Sequence, residues 1–138
     1  MKILTFQARR FAWKGFSKTL EQAGDEVVED ELSEAVVAFL HAEEKDEAQE
    51  ERARVFRHTL KHVKWLANKR ELRNVALHSF THLGARNADP AFASAFLDEL
   101  AERLRSTGYQ VKTTPFGWFC EWELSVYGES LAKVWKEV

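Results

Sequence analysis

Four polar side chains crowd the end of one apolar run. In Arg73–Leu83, RNVALHSFTHL, the run reads as a buried strand, and His78, Ser79, Thr81 and His82 fall where such a strand would leave a sheet. Ligands of open α/β sheets bind outside the carboxyl ends of the strands, so imidazoles and hydroxyls gathered there are placed for hydrogen bonding or proton transfer. His82 is the leading candidate, against the plainer role of a hydrogen-bonded structural histidine. His78 and His82 are four apart, a spacing that shares a face on a helix but not on a strand, and no metal site is expected.

A second stretch, Thr114–Gly128, TPFGWFCEWELSVYG, is a Pro/Gly turn followed by a long alternating segment. It holds the chain's single cysteine, Cys120. No base adjoins it in this aromatic run, so an inert thiol is the default reading and a nucleophile the alternative. The chain has no P-loop, GxGxxG or GxSxG signature, and no cofactor is expected. A third feature is the basic series Arg54, Arg57, Lys61 and Lys64 at helical spacing. It fits either a solvated helix face or a ridge that tracks phosphates.

The elements that must position these residues follow from periodicity. Lys2–Gln7 reads as a short strand, and Phe11–Leu32, whose pattern is weak, as irregular chain with room for one short helix or strand. Ala35–His41 is a continuous apolar run, fitting a strand buried on both faces. Asp46–Asn68 is the strongest helix: Val55, Phe56, Leu60, Val63, Leu66 and Ala67 form one stripe, with acids at the start and bases at the end. Asp89 as N-cap, Pro90 at the first turn and Gly108 beyond the end delimit a second helix. Tyr109–Lys112 is a short strand. In Trp118–Tyr127, Trp118, Cys120, Trp122, Leu124 and Val126 share one face. Ser130–Val138 reads as a terminal helix. The sum is one α/β domain over residues 1–138, a mixed sheet with packed helices.

A chain of 138 residues can bury one core unaided. Its formal charge of −2 argues against nucleic-acid binding through bulk positive charge, though not against a local basic patch. One cysteine excludes an internal disulfide and suits a reducing cytoplasm, and no run is long and apolar enough for a membrane span.

Two segments, SFTHL at Ser79–Leu83 and TPFGWFCEWELSVYGESLA at Thr114–Ala132, resemble signature segments of the archaeal-type N-terminal editing domain of threonyl-tRNA synthetase. The pieces between them agree in order: AVVAFLHAEEKDE, a long helix, NVALHSFTHL, a helix opened near Pro90 and a Gly-capped turn into the last long strand. The resemblance spans Glu34 to Lys133. It implies a fold similar to D-aminoacyl-tRNA deacylases, a homodimer, and removal of serine wrongly attached to the threonine tRNA, with the terminal ribose hydroxyl assisting ester hydrolysis. The implied partners are mischarged tRNA and a threonyl-tRNA synthetase, to which this chain would be a free-standing companion.

Carried over by position, His82 matches the family's motif histidine. Ser79, Phe80 and Thr81, the wall Val37, Ala38 and Phe39, and the turn Pro115, Phe116 and Gly117 with the aromatics Trp118 and Phe119 make the implied substrate pocket. Arg57, Lys61 and Lys64 are the candidate tRNA contacts. Three departures stand beside these matches. Cys120 replaces a lysine, Lys133 replaces an acid, and Gln7-Ala8-Arg9 replaces His-Ser-Asp after the first strand. The candidate catalytic positions are therefore His82, Cys120 and Lys133. Three readings stay open: a deacylase acting in trans, a non-catalytic tRNA-binding or dimeric interaction domain, and a Cys120 thiol enzyme.

Overall fold

The computed structural model describes residues 1–138. Six strands make one sheet: β1 (Lys2–Lys18), β2 (Glu29–His41), β3 (Asn74–Ser79), β4 (Gln110–Thr113), β5 (Trp118–Val126) and β6 (Lys133–Glu137). Their order is β4-β3-β2-β1-β5, with β6 also on β1. The ladders β2·β3 and β3·β4 are parallel, and the three made by β1 are antiparallel. Helices α1 (Gln49–Lys69) and α2 (Pro90–Ser106) are the crossovers between the parallel strands.

Both helices pack on one face. The stripe of α1 buries Val55, Phe56, Val63, Leu66 and Ala67, and α2 buries Phe96, Leu97, Leu100 and Leu104, against Ile3, Val36, Ala38, Leu40, Val75 and Leu77 of the sheet. Phe56 and Phe96 join the helices edge-on, with ring centroids 5.4 Å apart. Burying a side chain such as Phe96 contributes about 2 kcal/mol. The Asp89 side chain accepts from the Ala91 N–H, Pro90 opens α2, and Gly108 takes φ +97° just beyond its end, as the sequence pattern requires.

No helix covers the other face; the sheet curls over it instead. Ala8, Phe11, Trp13, Leu32, Ala35, Val37, Phe39 and Ala76 form a second buried cluster there. Phe39 is its centre, with the rings of Phe6, Phe80, His78 and Trp122 at 4.8 to 5.6 Å. A paired irregularity produces the curl. Arg9 of β1 and Glu34 of β2 both drop out of the ladder, and Glu34 adopts φ +49°. The inward positions therefore switch from Ala8 to Phe11 on β1 and from Ala35 to Leu32 on β2. Against β5, further register shifts fall between Ala8 and Arg10 and between Gly15 and Ser17.

The structure corrects the sequence reading at both ends. β1 runs to Lys18 rather than stopping at Gln7, and Phe11–Leu32 is mostly a β-hairpin, because backbone pairing with β2 and β5 stabilises a segment in which buried Phe11, Trp13 and Leu32 stand among solvent-facing side chains. Ser130–Val138 is no helix. A short 3-10 turn, Ser130–Ala132, leads into β6, which takes the open edge of Lys2–Phe6. Edge pairing leaves Lys133, Trp135 and Lys136 exposed while their backbones bond to β1. No helix is long and apolar enough to cross a membrane.

Candidate functional site

A cleft of about 280 Å³ opens where β3 and β4 end and β5 begins. The parallel pairing sets its walls: the Phe80 N–H donates to the Leu40 carbonyl (2.9 Å) and the Thr114 N–H to the Leu77 carbonyl (3.0 Å), so both signature segments leave the sheet side by side. Ser79, Phe80, Thr81 and His82 line one side of the cleft, and Pro115, Phe116, Gly117, Trp118, Phe119 and Cys120 the other. The N-terminal end of α2 adds Pro90 and Ala93. Sequence reasoning thus names ten residues that the fold brings together.

Others lie elsewhere. Phe39 stacks behind His78 and Phe80, and Val37 belongs to the same buried cluster, so these two support the wall from behind. Ala38 points to the helix side. Lys133 begins β6 opposite Phe6, and its ammonium donates to the Gly128 carbonyl (3.3 Å), outside the cleft. Arg57, Lys61 and Lys64 are on α1, along a separate shallow groove. Phe119 is 56% and Trp122 40% exposed on β5, an edge strand, although one side of the Trp122 ring packs on Phe39.

His78, rather than His82, is the enclosed imidazole. Its Nδ1 lies 2.7 Å from the Thr114 hydroxyl and its ring sits among Phe39, Phe80 and Trp122. Burial among these rings lowers its pKa to about 4, so it is neutral at pH 7. His82 is exposed at the rim, edge-on to Phe80 at 5.1 Å. The Cys120 thiol is half-buried, and burial raises its pKa. It is therefore a protonated lining group.

Several lining or supporting residues escaped the sequence reading. Thr19 and Leu20, at the tip of the β1–β2 hairpin, close one side of the cleft. The tip is fastened by the Thr19 N–H donating to the Gly117 carbonyl (2.7 Å) and by the Trp118 indole donating to Gly24 (2.9 Å). His41 is fully buried and fixes the loop that carries His82. Its Nδ1 accepts from the Leu83 N–H (3.2 Å), which makes Nε2 the donor to Asn87 Oδ1 (2.7 Å) and the Arg86 carbonyl (3.1 Å). The signal for His41 was present, since it ends an apolar strand as His78 does. Nothing local marks Thr19 or Leu20.

The family model described as the archaea-specific editing domain of threonyl-tRNA synthetase matches residues 1–138. The chain belongs to that editing-domain family. Similar curated proteins are named threonine–tRNA ligase. The one from Methanosphaerula palustris is 28% identical over 139 residues, and the one from Staphylothermus marinus 30% over 142. Each match covers 100% of this chain and 22% of the relative, so the editing domain spans about a fifth of their length. Among solved structures, one titled c-Myc DNA Unwinding Element Binding Protein shares the fold at a TM-score of 0.65 and 14% identity, with 100% of this chain and 99% of the other covered. The α/β architecture expected from the sequence, a mixed sheet with packed helices, is the one observed.

Proposed function

We propose that this editing domain hydrolyses the ester of a mischarged tRNA, seryl-tRNA(Thr) first among the substrates, in the cleft between the His82 loop and the Pro115–Cys120 turn. The observation that carries the reading is the convergence of the two signature segments on one cleft in a chain that matches the family throughout. The cleft is small, in keeping with a short aminoacyl side chain held by hydroxyl contacts.

The side chains at hand constrain the mechanism. His78 is neutral, Cys120 keeps its proton and Lys133 lies outside the cleft. Thr81, His82, Phe116 and Gly117 line the cleft, and their backbone N–H groups take no acceptor within the protein. Donors of this kind stabilise the negative charge that develops on the ester carbonyl oxygen. The terminal ribose hydroxyl of the tRNA then holds the attacking water. As water oxygen bonds to the carbonyl carbon, the carbon–oxygen bond to ribose breaks, and the ribose oxygen takes the proton, releasing serine. His82 at the rim positions the tRNA terminus. In this scheme the domain works with tRNA and a threonyl-tRNA synthetase, and pairs with a second copy through its helix-free face. On that face Leu4 and Phe6 are half-buried and Trp135, opposite Leu4, is 54% exposed.

One observation favours a second reading. Cys120 and Lys133 leave the cleft without the family's ammonium and carboxylate, as a domain that binds tRNA without hydrolysis would be. Deacylation of seryl- and threonyl-tRNA(Thr) under multiple turnover separates the two. Selective serine release that falls tenfold or more in His82→Ala supports the hydrolase. Release at the spontaneous rate by folded protein that still binds tRNA leaves the binding domain.

A further inference from the structure

Charge is distributed unevenly along this chain. Residues Arg52–Arg70 contain seven lysines and arginines and no acid, so the remaining residues hold 13 bases against 22 acids. Three of the seven are neutralised: Arg52 by Glu99, Arg54 by Glu51 and Arg70 by Glu129. Arg57, Lys61, Lys64 and Lys69, all on α1, make no ion pair, whereas most lysines and arginines elsewhere in the chain do.

The geometry makes the first three a ridge, with Lys69 to one side of it, beyond Trp65. Arg57, Lys61, Lys64 and Asn68 succeed one another at four- and three-residue steps on one helix face, and a shallow groove runs along them past Leu60 and Trp65. Trp65 is 43% exposed, and the Lys69 ammonium stands 5.9 Å from its ring centroid. At the helical rise, Arg57 and Lys69 are about 18 Å apart along the axis. Like charges at such spacings repel and destabilise the helix, and no acid of α1 lies among them to offset it. A polyanion with regularly spaced charges and flat bases complements this surface.

We propose that this face of α1 carries the sugar–phosphate backbone of tRNA, its phosphates against Arg57, Lys61 and Lys64, with Lys69 flanking them and Trp65 offering a stacking plane. The proposal rests on the tRNA reading above and locates its second contact. α1 starts near the carboxyl ends of the parallel strands, where the cleft opens. There the Ala88 N–H donates to the Ala42 carbonyl (2.9 Å) and the Asp89 N–H to Glu47 (3.2 Å), fastening the His82 loop to the segment that leads into α1. An RNA whose 3′ end enters the cleft therefore has this helix next to its path.

The test uses the full chain and fluorescently labelled, uncharged tRNA(Thr), with affinity measured by anisotropy across a salt series. Lys61→Glu/Lys64→Glu should weaken binding about tenfold or more at low salt and flatten the slope of log affinity against log salt by about 1.4 to 1.8. Lys61→Arg/Lys64→Arg should keep both the affinity and the slope. Unchanged melting of all variants shows that the fold is intact. Wild-type binding that both double variants retain overturns the ridge and leaves the deacylase reading standing. No binding by wild type overturns the ridge and removes tRNA as the partner. Binding to vesicles of anionic lipid that the same reversal abolishes, with tRNA binding untouched, assigns the ridge to a membrane surface and also overturns it.

Discussion

Acid should unfold this domain in a way that His78 controls. Folding places His62 and His78 where burial lowers each pKa from 6.5 to about 4, with the Lys136 ammonium adding to the effect at His62. The unfolded chain therefore binds protons that the native chain refuses. The stabilisation is fully present above pH 6.5 and is lost as pH falls toward 4. Between pH 7 and pH 5 each histidine should remove about 2 kcal/mol, and the pair about 4 kcal/mol, a large part of the stability of a domain this size. Glu43 does not confuse this window. Its carboxyl is stripped of water by burial, yet hydrogen bonds to Lys2 and the Met1 ammonium bring it down to about 2, so its contribution fades only below pH 4.5. The perturbation is His78→Gln, which keeps a polar group for the Thr114 hydroxyl but cannot titrate. The assay is urea unfolding at pH 7, 6 and 5, read by tryptophan fluorescence with the slope m held as a check. Wild type should lose about twice as much stability across the window as the variant. Equal losses would refute the reasoning, since His78 would then take up its proton as readily folded as unfolded.

Two further substitutions probe the cleft. Gly117 sits at φ +81°, and a Cβ there would meet the Ala23 Cβ at 2.9 Å and the Leu20 Cβ at 3.2 Å. Gly117→Ala should therefore lower stability by about 1–3 kcal/mol in thermal melts and lift the hairpin tip, seen as faster proteolysis between Leu20 and Glu26. Cys120→Ser should leave deacylation within about twofold, because a thiol that keeps its proton contributes neither nucleophile nor base. A tenfold loss would bring the thiol into the chemistry.

The parts of this fold that were legible from sequence are those whose determinants are local. α2 declares itself through Asp89, Pro90 and Gly108, and α1 through one apolar stripe, since caps and periodicity act over a few residues. The β1–β2 hairpin was not legible. Its inward positions change parity at Arg9 and Glu34, which breaks the alternation that marks a strand, and its outward positions form a ladder of charge in which Arg10 bridges Glu31 and Glu123. β6 misled for a related reason: the sequence between Leu131 and Trp135 suits a short amphipathic helix, and its true partner lies at the other end of the chain. The cleft followed the same division. Its two signature segments were readable as motifs, whereas Thr19 and Leu20 arrive by long-range curling of the sheet.

That long first strand also sets an order of events during folding. β1 pairs with β2 along one edge and divides the other between β5 and β6, so its opening residues, Lys2–Phe6, find their second partner only in Lys133–Glu137. Contacts of such sequence separation are slow to form, because the closure entropy of nearly the whole chain precedes any gain. On the ribosome, β1 and β2 emerge first and expose a bare strand edge until synthesis reaches β5 and β6. The interval is the period of greatest aggregation hazard for this domain, and loss of the last few residues would make it permanent.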